Sequence, residues 1–402
     1  MTEQISENMS GNKKLDYKLI ILGVILVLAF LILAGRLYYL QIVNDENFAT
    51  LSEQNRIRII SQPAKRGDIY DCNMDELATS KPVFTISLAS SEIDDKENLA
   101  KNLAAVLGDP EITTASILEQ IKSNSRIYEP IIIKRIPYDE GLPIITRLEE
   151  MRNQLPGVLI SEEPMRYYPQ GDLAGHTIGT VGLLSKEEEE LKDKYGYQNN
   201  DWLGKSGLEK TMERFTVDDQ EIGLRGQKGI EKVEVNSRHR PVRTISSQDP
   251  VSGNSLVLTL DSKVQKVLEE SLQETIARVS KTYPKCRGGA AVLLNVKTGG
   301  VIAMASYPKL NPNDFANGLS RDKVPYYMEN ESRPMFNRAV SGAYPSGSTF
   351  KAATAVAIMA SQTISPYERI TCSPSAWKKP RAKCPRVHGS VDLSRALALS
   401  CN

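Results

Sequence analysis

The longest apolar run in the chain lies near its start. Leu19 to Gly35, LIILGVILVLAFLILAG, carries no charged side chain. In helical form this stretch covers ~26 Å, close to the hydrocarbon thickness of a bilayer, and Tyr17, Tyr38 and Tyr39 stand where aromatic rings prefer the interface. The pattern predicts a transmembrane anchor over residues 19–36 behind a tail of residues 1–18. Lys13, Lys14 and Lys18 precede the run and Arg36 follows it. The positive-inside tendency therefore places the tail in the cytoplasm and the body outside. A cleaved signal carries a shorter apolar stretch with a small-residue cleavage site after it, so an uncleaved single-pass anchor is expected.

Beyond the anchor, Leu37, Leu40, Val43, Phe48 and Leu51 recur at three- to five-residue steps and predict a continuing helix. The period then drops to two in RIRIISQ (56–62), and VFTISLA (83–89) and PIIIKRI (130–136) also read as strands. Amphipathic spacing predicts helices over 97–107, 114–121 and 144–155. In SKEEEELKDK, Ser185 and Glu188 have the spacing of a capping box, and the acidic run reads as a solvated helix face. DPVSGN (249–254) reads as a linker. After it, SLVLTL predicts a strand, and Val264, Val267, Leu268, Leu272 and Ile276 mark one helix face. GGAAVLLNV, a turn at KTGG and VIAMASY predict a hairpin with apolar strands. A helix beginning at Ser348 is apolar nearly all round, which predicts burial in a domain centre.

Composition narrows the function classes. The chain has 402 residues, enough for two or three domains, with 25% charged and 41% apolar residues and a net charge of +1. That balance, without a basic run, gives no support for nucleic-acid binding. The five cysteines contain no CxxC pair, so a zinc or dithiol-redox reading has little behind it.

Candidate chemistry lies in AVSGAYPSGSTFKAATAVAIMASQ (339–362), where a Gly/Pro/Ser turn runs into the apolar helix. Ser348 and Lys351, three residues apart, share a helix face, so the amine can lie beside the hydroxyl. A serine needs such a base to act as nucleophile, and a helix N-terminus offers N–H groups to a developing oxyanion. The spacing alone is weak: S-x-x-K starts also at Ser10, Ser306, Ser320 and Ser375. Only Ser348 opens an apolar helix, and a plain N-cap serine remains the alternative. A second element is Ser400-Cys401-Asn402, closing VDLSRALALSCN, which reads as a helix. Its hydroxyl can pass a proton and its amide can pair with a peptide, yet S-x-N also occurs at Ser6, Ser10 and Ser252.

Together with their surroundings these elements are specific. YPSGSTFK followed by HGSVDLSRALALSCN resembles the penicillin-binding transpeptidase domain. RGDIYDCN (66–73), RYYPQGDLAGHTIGTVG (166–182) and GKSGLEKTME (204–213) resemble the pedestal boxes of class B penicillin-binding proteins. The resemblance implies an α+β chain: the anchor, a mixed α/β pedestal or dimerisation domain over 37–250, and a transpeptidase domain over 254–402, an antiparallel sheet with a buried helix cluster. It implies a D,D-transpeptidase of peptidoglycan synthesis acting on stem peptides and acylated by β-lactams. Ser348 would be the nucleophile, Lys351 the base, Ser400 a proton relay and Asn402 the holder of the substrate amide. Partners would be other cell-wall synthesis proteins such as a glycosyltransferase; no metal or cofactor is implied.

The family's third motif, K-[ST]-G, is expected well after S-x-N, and no residue follows Asn402 here. The chain is therefore expected to be an N-terminal portion with an incomplete transpeptidase domain. Lys297-Thr298-Gly299 spells the tripeptide but precedes the nucleophile and matches a turn box, so it is read as a decoy. Ser346 stands where the family usually has proline, and Cys72 and Met74 where arginine and glycine are usual. An inert scaffold and a β-lactam-hydrolysing or β-lactam-sensing protein are the rival readings. Cys372 and Cys384 leave a disulfide open. Cys401 reads as space-filling, and His176 and His388 as structural hydrogen-bonders.

Overall fold

A computed structural model describes residues 3–43, 57–90, 93, 95–123, 130–218, 220–235, 241–374, 383–384 and 386–402. These fall into two units, Met1–Ala339 and Val340–Asn402.

The first unit opens with helix α1 (Glu3–Tyr38), which ends in a π turn at Tyr39–Val43. Ile21–Tyr38, apolar but for Arg36, is long and apolar enough to cross a membrane, with none of it buried within the protein. Phe48 and Leu51, expected to extend it, lie outside the described residues. Strand β1 (Ile57–Gln62) follows, then β2 (Ile69–Tyr70) and the long β3 (Glu76–Leu88). β3 starts seven residues earlier than the period-two pattern suggested, because its first half is held by strand pairing rather than by alternation. Helices α2 (Lys96–Leu107) and α3 (Thr114–Ser123) come next, then β4 (Ile131–Pro137), α4 (Tyr138–Glu150) and β5 (Val158–Tyr167). β3 pairs antiparallel with both β4 and β5. Ile86 and Leu88 are fully buried beneath Leu99, Leu103, Ile117 and Leu148 of the three helices, forming one core. The Asp95 carboxylate caps α2, and Gly108, in the left-handed region at φ 59°, ends it. The capping box at Ser185 and Glu188 is present.

A short helix, α5 (Gly207–Thr211), leads to β6 (Gly229–Val235) and β7 (Pro241–Gln248), which form a three-stranded antiparallel sheet with β1. The segment 249–254 is no free tether. Gly253 N donates to Lys65 O, Asn254 N to Gly223 O, and Val251 and Gln227 exchange backbone bonds. A Cβ on Gly253 would fall 1.9 Å from Leu224 O and one on Gly67 1.9 Å from Asn254 O, so only glycine allows this approach. The composition of a loop was legible there, but not its two-sided hydrogen bonding. Of the expected strand 255–260 only β8 (Leu256–Val257) forms, and it pairs parallel with β2, so a sheet of the pedestal continues into the next segment. Helix α6 (Ser262–Thr282) follows, then the hairpin β9 (Gly289–Leu294) and β10 (Val301–Tyr307). Lys297-Thr298-Gly299 sits in that hairpin turn, with Gly299 at φ 76°.

The three pedestal boxes meet at one carboxylate. Glu209, on α5, is fully buried. Its Oε2 accepts from Arg66 Nε at 2.5 Å, and its Oε1 accepts from Arg166 Nε at 2.7 Å and Tyr168 OH at 3.1 Å. Glu213 pairs with Arg66 Nη2 at 2.6 Å and accepts from Tyr197 OH at 2.8 Å. Burial pushes the Glu209 carboxyl up, but the guanidinia of Arg66 and Arg166 outweigh it and hold the carboxyl below its usual range. Residues far apart in sequence are thus stitched by charge, which hydrophobic periodicity does not report.

Asp71 joins the pedestal to α6. Its carboxylate, fully buried, accepts from the amides of Asn73 at 2.7 Å, Asp75 at 2.9 Å and Ser262 at 3.0 Å. Burial alone would raise its pKa, yet these amides, that of Ser262 foremost, bring it down to about 2. A depressed folded value stabilises the fold above the unfolded pKa of about 3.9 and loses that contribution as pH falls through about 2. Equilibrium unfolding between pH 4 and 2 should therefore steepen in the wild type, and Asp71→Asn should remove about one proton from that dependence. An identical acid limb in the two proteins would contradict this assignment.

The second unit holds helix α7 (Phe350–Ser361), a strand pair β11 (Ile370–Cys372) and β12 (Gly389–Val391), and helix α8 (Leu393–Ala398). The expected burial of α7 is not found. Only Ala355 is buried, while Phe350, Val356 and Met359 are each more than half exposed. A helix that is apolar all round is legible in sequence, but the elements lying against it are a tertiary matter, and among the described residues of this unit they cover one side.

Candidate active site

Two chain reversals bring the sequence-predicted residues together. Ser348 lies in a tight turn, Gly347–Thr349, entered through Gly347 at φ 57° and braced by Thr349 Oγ1 donating to Ser346 O at 2.6 Å. Lys351 follows on the first turn of α7. On the other side, Asp392 caps α8 by accepting from Arg395 N at 2.8 Å. The helix closes at Ala398 and not at Asn402 as the pattern suggested. Ser400 adopts the left-handed conformation at φ 51°, and Cys401 N donates back to Ala396 O at 2.8 Å. A non-glycine residue held there is uncommon and has a local cost that the surrounding bonds offset.

That conformation presents two oxygens of Ser400 to one amine. Lys351 Nζ donates to Ser400 O at 2.6 Å and to Ser400 Oγ at 3.0 Å. Ser400 Oγ in turn donates to Ser348 Oγ at 2.8 Å. Among the described residues no direct bond joins Lys351 to Ser348, and the two are linked through Ser400. The reason is local: the left-handed serine offers the amine two acceptors at once. Asn402 belongs to a different set of bonds, its Nδ2 donating to Lys383 O at 2.9 Å. The structure thus unites Ser348, Lys351 and Ser400 and leaves the Asn402 amide outside their hydrogen-bond chain. A largely apolar cleft of about 300 Å³ runs beside Lys351, Ile358, Leu393, Leu397 and Asn402.

Behind Ser400 lies a donor cluster that the spacing did not reveal. Cys372, Cys384, His388 and Cys401 place their ligand atoms within 4.8 Å of one another. Cys372 Sγ is 3.6 Å from both Cys384 Sγ and His388 Nδ1, and Cys384 Sγ is 3.7 Å from Cys401 Sγ. All five cysteines are free thiols, so the disulfide left open between Cys372 and Cys384 is not formed here. Tetrahedral Zn²⁺ with Zn–S of about 2.3 Å and Zn–N of about 2.0–2.1 Å sets donor-to-donor edges near 3.5–3.8 Å, and the three separations of 3.6, 3.6 and 3.7 Å fall in that range. Asn402 N, 3.1 Å from Cys384 Sγ, supplies an N–H that suits a thiolate. The backbone amide of His388 leads in drawing the Cys372 thiol down to about 6, and burial pushes Cys401 up. His388 and Cys401, read as structural from sequence, are therefore members of a metal-type donor set. The usable signal was C-x₃-H at Cys384 and His388, a ligand-like pair without the CxxC that usually accompanies it. His176 fits its structural reading, with Nε2 2.6 Å from Pro334 O and burial lowering its pKa.

Comparison with known proteins adds an independent line. Residues 61–258 match the penicillin-binding protein dimerisation domain, and residues 289–402 match the penicillin-binding protein transpeptidase domain. The peptidoglycan D,D-transpeptidase MrdA of Acinetobacter baumannii is 32% identical over 387 residues, covering 94% of this chain and 53% of the relative. MrdA of Escherichia coli is 30% identical over 393 residues, covering 95% and 58%. Among solved structures, the complex between penicillin-binding protein PBP2 and MreC from Helicobacter pylori is similar at a TM-score of 0.66 and 25% identity, covering 85% of this chain and 60% of that one. A peptidoglycan synthase complex that coordinates polymerization and crosslinking is similar at a TM-score of 0.57 and 28% identity, covering 96% and 63%. The chain spans little more than half the length of the curated relatives it matches.

Proposed function

Because the chain belongs to the penicillin-binding proteins that carry a dimerisation domain ahead of a transpeptidase domain, we propose that it serves as a peptidoglycan D,D-transpeptidase working through an acyl-serine. The observation that carries this reading is the hydrogen-bond chain from Lys351 through Ser400 to Ser348. Ser348 Oγ attacks the carbonyl carbon of the penultimate D-Ala of a stem peptide. Its proton passes through Ser400 Oγ to Lys351 Nζ, with both hydroxyls turning from the resting arrangement in which Lys351 donates to Ser400 and Ser400 to Ser348, and on to the departing D-Ala nitrogen as the peptide bond breaks. An amine of a second stem peptide then attacks the ester carbon, Ser348 regains a proton, and a cross-link remains. Asn402 exchanges its bond to Lys383 O for the substrate amide. A β-lactam enters by the same attack and stays as the acyl-enzyme.

The same reading makes α1 a membrane anchor with the body outside the cell. By analogy with the similar synthase and MreC complexes, it gives the pedestal partners among cell-wall proteins, a glycan polymerase included. The test uses the whole product of the gene in detergent with a fluorescent penicillin and stem peptides. Covalent labelling together with D-Ala release is the expected result. Absence of labelling would transfer the role to an inert scaffold, and rapid turnover of penicillin to a hydrolase.

The proposal includes a structural Zn²⁺ on Cys372, Cys384, His388 and Cys401. A closed four-ligand site leaves no position for substrate, so the ion would hold Cys401, and with it Ser400 and Asn402, in place. Metal analysis of purified protein should give about one zinc per chain. Cys384→Ser should lower zinc content and slow penicillin acylation at least about 10-fold, since losing a ligand costs no less than losing one of the groups that orient the ligands. Protein that contains no zinc and is indifferent to a chelator would remove this part of the reading.

A further inference from the structure

A pocket in the first unit gathers cationic side chains that the protein itself does not fully neutralise. It encloses about 130 Å³ between Arg135 on β4, Arg166 on β5, Trp202 and Arg225. A second cavity of about 380 Å³ shares Arg225 and Lys228 with it. Of the basic groups, Lys228 is matched by Asp201 at 2.5 Å, and Arg66 by Glu209 and Glu213. The others are short of partners. Arg166, with a side chain only 3% exposed, uses Nε on Glu209 and Nη1 on Gly67 O, while its Nη2 has no hydrogen-bond partner.

Arg135 is 11% exposed and sits by the Trp202 ring, 5.5 Å from its centroid. Its only ion pair among the described residues is with Glu163 at 3.7 Å, beyond hydrogen-bond range. Burial outweighs Glu163 and pushes its guanidinium pKa down. Arg225 lies over Tyr197 at 3.7 Å and donates to Tyr195 O at 3.2 Å, with no ion pair among the described residues. Guanidinia held wholly or partly out of water without bidentate acceptors are costly, and an oxyanion supplies such acceptors.

We infer that this pocket binds a small oxyanion, a carboxylate or a phosphate, clamped by Arg135 and Arg225 beside Trp202. A ligand bearing that group at its end can extend into the adjoining cavity past Lys228. The site belongs to the pedestal and is independent of acylation at Ser348.

The test is a titration of the whole chain in detergent at constant ionic strength, with sodium chloride as control. One arm uses inorganic phosphate and the other N-acetylglycylglycine, a peptide ending in a carboxylate. The readouts are tryptophan fluorescence, with Trp202→Phe as signal control, and melting temperature. A saturable response in either arm, weakened at least tenfold by Arg225→Gln and by Arg135→Gln, is the expected result. The arm that responds identifies the anion. Because Arg135 is under-neutralised, Arg135→Gln should not lower the ligand-free melting temperature. Arg225→Gln, nearer the shared rim, keeps the test open if the other variant fails to fold. A chloride-like response in both arms, or unaltered affinity in the folded variants, would overturn the inference.

Discussion

Ser348→Ala abolishes covalent labelling by penicillin and leaves the fold intact: this is the expected result with the largest effect on activity. Removing the nucleophile of a serine acyl-transfer site costs roughly 10⁴-fold or more, because the remaining groups bind the substrate without forming the ester. The structural cost is small. Ser348 is exposed in a turn, and its hydroxyl accepts one bond from Ser400. Ser346→Ala, two residues earlier in the same turn, is the control, since among the described residues only its backbone carbonyl is used. Mass spectrometry after incubation with penicillin reads both variants. An adduct of undiminished yield on Ser348→Ala would place the nucleophile elsewhere and take the proposed mechanism with it.

The largest expected effect on stability comes from Glu209→Ala. That carboxylate is fully buried and faces two guanidinia and a phenol. Deleting it leaves Arg66 with Glu213 alone and leaves Arg166, already with one unpartnered nitrogen, without any carboxylate. Breaking a buried pair from one side costs about 3–5 kcal/mol, because the surviving charge stays desolvated. For a domain whose total stability is of order 5–15 kcal/mol this is a large fraction. Denaturant unfolding followed by far-UV circular dichroism should show the midpoint falling with an unchanged slope. A loss below about 1 kcal/mol would mean that water or a side-chain shift rescues Arg166. The exposed pair Arg152–Glu149 offers the contrast: Glu149→Ala should change stability by less than about 1 kcal/mol.

Both predictions draw on residues quoted from the sequence, yet the sequence supports them unequally. Ser348 and Lys351 were legible because their spacing, the preceding turn and the following apolar helix agree. Ser400 was legible as a motif member, but its role as the link between them depends on a left-handed conformation that no local pattern announces. The boxes holding Arg66, Arg166 and Glu209 were visible as separate strings. Their convergence on one carboxylate was not, since ion pairing across 43 and 143 positions leaves no periodic trace. The donor cluster at Cys372, Cys384, His388 and Cys401 was missed because its ligands come from a strand end, a loop and the chain beyond α8.

What the sequence determined by itself is whatever short-range physics enforces. An uncharged apolar stretch makes α1, amphipathic spacing makes α2, α3 and α6, and capping residues such as Asp95 and Asp261 fix where helices begin. Tertiary structure alone decided the pairing of β8 with β2, the tying down of residues 249–254 and the order Lys351–Ser400–Ser348. Each of these depends on which surfaces meet, and a free energy of contact between distant segments is not written in the neighbourhood of either one.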